Sequence, residues 1–364
     1  MPATRPAIYL HVGPPKTGTT FLQDVLFRNQ AALARVGVDI PGGRPVEHYH
    51  AALDLRGIQF GGYDNPDVPG AWGRLSRKVL TSSAAKVVIS HEALAGATDE
   101  IETVGATFDG HDLHVIYGAR DLARQLPAVW QETLKNRQTR PYDKFLRGAL
   151  RAEQTTKRSA RFWRAQDVVS TLERWSRVVP PKRIHVMTLA QAGAPADTLW
   201  RRFCQALGVA PDGYDLEVAR SNSSLSLQDA EVLRRLNEAL PPDLPWPAYE
   251  RIVKRRFNQR ANSASPGDKI IVPVNYRDLV MGRAAQTRAT LSAAGYDVNG
   301  DLDDLIPRSA SFGELPQLRA DMVTDAAVAM LASALTEQAE QHNRAPREVV
   351  RSRFAQLRRG RGAS

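Results

Sequence analysis

Four short apolar runs rich in β-forming residues, each followed by a turn and then by helical spacing, constrain this chain more than any other feature. They are AIYLHV (7–12), AKVVIS (85–90), DLHVIYGA (112–119) and RIHVMTL (183–189). After the first run, Gly13-Pro14-Pro15 breaks the strand. Phe21, Leu22, Val25, Leu26, Ala31, Ala32 and Leu33 then recur on a helical face, with Thr19 or Thr20 as the cap. The second run ends at His91-Glu92. The third ends at Arg120 and leads into the helical stretch DLARQLPAVWQETLKN; the fourth leads into ADTLWRRFCQALGV, where Leu199, Phe203 and Leu207 share a face. Predominantly apolar strands that alternate with helices pair in parallel and are buried on both sides. The expected fold is therefore α/β, with three layers: helices, a central, mostly parallel sheet, and helices.

Composition sets the remaining bounds. At 43% hydrophobic, the 364 residues supply enough apolar surface for one large core. The formal charge of +10 points to an anionic ligand. A nucleic-acid surface is disfavoured, because the arginines are spread over many elements and no recognisable binding module is present. Cys204 is the single cysteine, which excludes an internal disulfide and a cysteine-based zinc site and reads as a buried apolar residue. No segment approaches the roughly 20 apolar residues of a membrane span, and the N-terminus has no signal-like core, so the expected compartment is the cytoplasm.

The organisation expected is a main domain over 1–310, a C-terminal helical extension over 311–345 and an arginine-rich, flexible tail over 346–364. Residues 41–74 are dense in glycine, proline and aspartate and read as long loops over the sheet edge. A proline-rich break at 239–250 precedes a short basic helix at 249–260 with Arg251, Lys254, Arg255 and Arg256.

The loop after the first run, HVGPPKTGTTFLQ (11–23), carries the chemistry. A nucleotide-binding P-loop reads G-x-x-x-x-G-K-[ST], with the lysine reaching the outer phosphates and the hydroxyl holding magnesium. Gly13 and Gly18 keep the glycine spacing, but Thr19 and Thr20 follow and the cation has moved to Lys16. Amides at the helix start still form an anion nest. The arrangement suits a compact 5′-diphosphate-like group that needs no metal.

P-K-T-G-T-T between a strand and a helix resembles the 5′-phosphosulfate loop of the sulfotransferases, enzymes of P-loop-like fold that use 3′-phosphoadenosine-5′-phosphosulfate. The resemblance covers most of residues 6–240 and is that of a bacterial member. It implies a donor site of Pro15, Lys16, Thr17, Gly18, Thr19 and Thr20, with Arg120 on the 3′-phosphate. The serine that the family places eight residues after this arginine falls on Ala128, and Arg124 is the candidate substitute. The family's late R-K-G-x-x-G-D-W loop is not recognisable, and the basic helix at 249–260 is its candidate replacement. ARSNSSLSLQDAEVLRRLN (219–237) resembles a segment frequent in bacterial members.

Sulfuryl transfer resembles phosphoryl transfer, so a cation must stabilise charge on the leaving oxygen while a base takes the acceptor's proton. Lys16 is assigned the first task. For the second, His91 matches the family's strand-terminal histidine, and imidazole, with a reference pKa of about 6.5, suits proton removal. Glu92 is the rival, and strand alternation implies that only one of the two faces the acceptor. His48, His50 and Trp130 are candidate acceptor contacts, with Trp72 and Trp163 as further possible wall residues, whereas His111 and His114 read as ordinary surface and core residues. The acceptor implied is a small-molecule, carbohydrate or lipid hydroxyl, or an amine. A P-loop kinase and an inactive sulfotransferase-like binding protein are the alternatives.

Overall fold

The computed structural model describes residues 5–150, 157–217, 224–262 and 267–359, with side chains for 5–150, 162–217, 224–261 and 267–339. Residues 219–223 of the segment 219–237 lie outside the described residues, as do 360–364 at the end of the basic tail.

Among the described residues, eight strands follow one another as β1 (Ala7–His11), β2 (Val38–Asp39), β3 (Lys86–Ser90), β4 (Leu113–Ala119), β5 (Ile184–Thr188), β6 (Val272–Pro273), β7 (Asp297–Asn299) and β8 (Phe312–Gly313). Six of them form one sheet in the order β2-β3-β1-β4-β5-β7, and every neighbouring pair is parallel. β6 and β8 make a separate two-residue ladder. The four strong runs are the central strands. β2 and β7 at the edges have only two and three residues, too few for an apolar period to register.

Side-chain alternation along the strands divides the core. Ile8, Leu10, Val87, Ile89, Val115, Tyr117 and Val186 pack on one face with Trp72, Leu75, Ile101, Val104, Leu172 and Trp175 from helices. Tyr9, Val88, Ile116 and Met187 pack on the other with Leu22, Val25, Leu26, Phe203, Cys204 and Leu207. The three expected layers follow from this division. A third cluster joins helix Leu122–Lys135 to Tyr142, Phe145, Trp246, Tyr249 and Phe257.

Several expectations change. Residues 41–74 are not loop throughout: Pro45 opens helix Pro45–Leu55, and Ala71 begins Ala71–Leu80, leaving 56–70 irregular. The first helix, Thr19–Arg28, is preceded by Gly18 in a left-handed conformation, so neither Thr19 nor Thr20 occupies the cap. The basic segment belongs to a continuous helical stretch with a π-turn at Glu250–Lys254. Helix Ala320–Arg359 runs through both the expected extension and the start of the basic tail. Among the described residues, no helix is long and apolar enough to cross a membrane.

Chain order locates the binding crevice. From β1 the chain moves towards the β2 edge and from β4 towards β5, so these neighbours diverge. In open parallel sheets ligands bind at such a switch point, beyond the carboxyl ends of the strands.

Candidate active site

The loop leaving β1 lies against β4 because two glycines face each other. A Cβ on Gly13 would stand 2.9 Å from the Gly118 nitrogen, and a Cβ on Gly118 would stand 2.9 Å from Thr17 Oγ1. Gly118 had no signature in the sequence, since its importance comes from what approaches it. Thr17 is fully buried, and its hydroxyl donates to the Pro14 carbonyl at 2.7 Å, so it fastens the loop from inside. Lys16 adopts φ 74° and Gly18 φ 80°. A left-handed lysine costs on the order of 1 kcal/mol, a strain that the surrounding contacts must hold. Those contacts are visible: Gln125 donates to the Pro15 carbonyl at 2.7 Å and Arg120 to the Lys16 carbonyl at 2.9 Å. Thr19 is buried and Thr20 exposed.

Arg120 sits at the end of β4 with its Nε buried and, among the described residues, without a partner. Burial, aided by the neighbouring Arg124, pulls its pKa down to about 10. Arg124 does not behave as either a solvated arginine or a loose donor. Its guanidinium pairs with the buried Asp121 carboxylate and donates to the Leu189 and Ala190 carbonyls at 3.1 and 2.9 Å. It ties the start of helix Leu122–Lys135, which follows β4, to the segment after β5. Ala128, half-buried on helix Leu122–Lys135, follows Pro127 inside that helix.

The same helix contributes a residue that motif matching passed over. Glu132 Oε2 lies 2.8 Å from Lys16 Nζ, and Lys254 Nζ approaches Oε1 at 3.4 Å. Burial works to raise the Glu132 pKa, but Lys16, Lys254 and Lys135 outweigh it and hold the carboxyl at about 2. Helical spacing alone puts Glu132 and Lys135 on neighbouring positions. Only the tertiary fold brings Lys16 and Lys254 to them.

β3 ends at Ser90, and here the alternation argument fails. His91 caps the 3₁₀ turn Glu92–Gly96 and is no longer in a strand. As a result both side chains turn to one place, with His91 Nε2 3.9 Å from Glu92 Oε2. His91 Nδ1 accepts the Ala93 amide at 3.1 Å, which assigns the proton of a neutral ring to Nε2. Burial lowers the His91 pKa, opposed by Glu92; burial would raise that of Glu92, but His91 and the Gln23 amide, 3.1 Å away, bring it down. Tyr49 covers His91, with ring centroids 4.9 Å apart.

The expected acceptor contacts separate. His48 is fully buried, accepting the Ser90 amide on Nδ1 at 3.1 Å and donating from Nε2 to the Pro41 carbonyl at 2.7 Å. Both nitrogens are spent on holding β3 in place, so His48 is a structural residue. His50 is half-buried beside Tyr49 and Asn65. Trp130 is a core residue: it is 2% exposed, donates to the Arg140 carbonyl at 2.8 Å and packs on Tyr142. Trp72 and Trp163 are likewise buried. His114 bonds His185 at 2.9 Å beneath Tyr9, in the early residues of the strands and away from their carboxyl ends.

No family model and no curated protein matches this chain. A solved structure, that of a sulfotransferase from Alicyclobacillus acidocaldarius, is 16% identical, covers 65% of this chain and 94% of its own, and gives a TM-score of 0.39.

Proposed function

We propose that this chain is a sulfotransferase that moves a sulfuryl group from 3′-phosphoadenosine-5′-phosphosulfate to a hydroxyl or amine. One observation carries the reading: a loop with P-loop glycine spacing whose cation is Lys16, left-handed in backbone and gripped at its carbonyl by Arg120. The residues fit the donor. Gly13 and Gly118 leave no room for a Cβ where the loop meets β4, and among the described residues Arg120 keeps one buried donor without a partner.

When bound, the donor supplies an activated sulfuryl group with a nucleotide leaving group. Lys16 and the amides at the start of helix Thr19–Arg28 would balance charge on that leaving group, a kind of stabilisation worth about 3 kcal/mol per well-placed donor. Arg120 would hold the 3′-phosphate. For proton removal the geometry favours Glu92 as the accepting atom, because His91 Nδ1 is engaged by a backbone amide while Nε2 carries hydrogen towards Glu92. Gln23, which donates to Glu92 Oε2 at 3.1 Å, orients the carboxylate, and His91 Nε2 faces it at 3.9 Å. This reverses the preference for His91 drawn from the sequence. Accordingly Glu92→Gln is expected to lower kcat by about a hundredfold or more, and His91→Asn by less. A His91→Asn enzyme that is inactive beside an active Glu92→Gln enzyme would restore His91 as the base.

The reading itself is tested by calorimetry with adenosine 3′,5′-bisphosphate in the presence of a magnesium chelator, with AMP and ATP for comparison. Binding that requires the 3′-phosphate and is lost in Lys16→Ala supports it. Magnesium-dependent preference for ATP would favour the kinase alternative. Donor binding without transfer to any hydroxyl would leave a binding protein.

A further inference from the structure

Three lysines surround a single carboxylate beside the candidate loop. Lys16 and Lys254 both reach Glu132, while Lys135 lies one turn along the same helix, 6% exposed. Among the described residues Lys135 makes no ion pair or hydrogen bond of its own, and burial, with the positive charge of Lys16, pushes it down to about 8. A buried ammonium with no paired oxyanion is costly, so a group of this kind marks a place where an anion is to be held.

Charge accounting indicates which anion. On the sulfotransferase reading, Lys16 turns to the donor. Glu132 then balances only one of Lys135 and Lys254, and one positive charge stays uncompensated in a half-buried site. Lys254 also lies over the rings of Phe60 and Trp246, at 5.5 and 5.6 Å. These rings are 4.9 Å apart, and Phe60 stands 6.5 Å from Tyr49, which covers His91. An aromatic row therefore leads from the His91–Glu92 pair to the lysines.

We propose that Lys135 and Lys254, arranged around Glu132, form an anion subsite that binds a carboxylate or ester sulfate carried by the acceptor. Glu132 is its internal counter-anion and competes with the incoming group for the lysines. The acceptor assignment rests on the sulfotransferase reading; the anion subsite does not. The acceptor class that follows has an apolar ring or chain to lie along the half-buried Tyr49 and Phe60, with a negative group distant from the reacting hydroxyl.

The test titrates inorganic sulfate into the full chain, first alone and then saturated with adenosine 3′,5′-bisphosphate, by calorimetry. Lys135→Met and Lys254→Gln are expected to weaken sulfate binding to the saturated protein about tenfold, and Glu132→Gln to strengthen it about tenfold. The gain in Glu132→Gln cannot come from misfolding. Unchanged sulfate affinity in all three variants overturns the subsite, as does the absence of saturable binding to wild type and Glu132→Gln alike. If the lysine variants instead lose affinity for adenosine 3′,5′-bisphosphate, the cluster belongs to the donor and the acceptor assignment falls. A second arm compares 4-hydroxyphenylacetate with its neutral amide on the saturated protein. Preference for the carboxylate that disappears in Lys254→Gln supports the acceptor assignment, and equal binding of the two, or of neither, overturns it. Should wild type not bind adenosine 3′,5′-bisphosphate, the sulfotransferase reading fails by itself, while sulfate titration of the unliganded variants still decides the subsite.

Discussion

Replacing Gly118 with alanine adds one methyl group at the point where the loop and the sheet touch. The new Cβ would meet Thr17 Oγ1 at 2.9 Å, Thr17 Cβ at 3.2 Å and the Thr17 carbonyl oxygen at 3.5 Å. Thr17 cannot swing away cheaply, because its hydroxyl is bonded to Pro14 and the residue has no exposed surface. Gly118 is a strand residue with no positive φ, so alanine meets no backbone strain there. Overpacking of this type costs about 1–3 kcal/mol, and removing a glycine from a strand returns about 0.5–1 kcal/mol. The net expectation is a loss of about 1–2 kcal/mol, or roughly 1–3 °C in Tm for a chain of this length. Moving the loop relieves the clash at the expense of its ligand geometry. Affinity for adenosine 3′,5′-bisphosphate should then fall about tenfold, the equivalent of about 1.4 kcal/mol. Calorimetry and thermal melting of Gly118→Ala, Thr17→Ala and the double variant form the assay. Because Thr17→Ala removes the nearest clashing atom, the double variant should be more stable than the sum of the singles by about 1 kcal/mol. A Gly118→Ala protein with wild-type Tm and affinity, or strictly additive effects, would refute the packing argument.

Acid should destabilise the fold through His11 and His48, whose burial lowers each pKa to about 4. Both stay neutral in the native state below the unfolded value of about 6.5, so the unfolded chain binds more protons there and stability drops as pH falls from about 6.5 towards 4. The expected slope is about 1.4 kcal/mol per pH unit for each residue, measured by urea unfolding at pH 7 and 5; equal stability at the two pH values would sink the idea. Arg124→Ala should cost about 3–5 kcal/mol by leaving the buried Asp121 unpaired, with a much smaller effect on donor affinity. Loss of binding at full stability would instead return Arg124 to the donor site. Trp130→Ala should cost about 3–5 kcal/mol in urea unfolding, as for a core tryptophan, and an unchanged midpoint would contradict its burial.

The sequence by itself determined the layered α/β architecture, because strand and helix periods are local properties and the four strong runs became the central strands β1, β3, β4 and β5. It also marked the candidate loop, since Gly13, Lys16 and Gly18 lie within six residues and their backbone demands are local. Alternation at His91 and Glu92 misled, because the strand ends at Ser90 and His91 caps a 3₁₀ turn that brings both side chains to one place. His48 and Trp130 looked like ligand contacts only while their hydrogen-bond partners were unknown. The tertiary structure alone decided that Gly118 must lack a side chain, that Arg124 is bound to Asp121 and two carbonyls, that Tyr49 covers His91, and that Lys16 and Lys254 meet on Glu132. Lys16 and Lys254 stand 238 positions apart in the chain, and no local period encodes such a meeting. Their charges are brought within reach of one carboxylate by the packing of helix Leu122–Lys135 against the helical stretch from Trp246 to Asn262, in a core that forms only when the whole chain has folded.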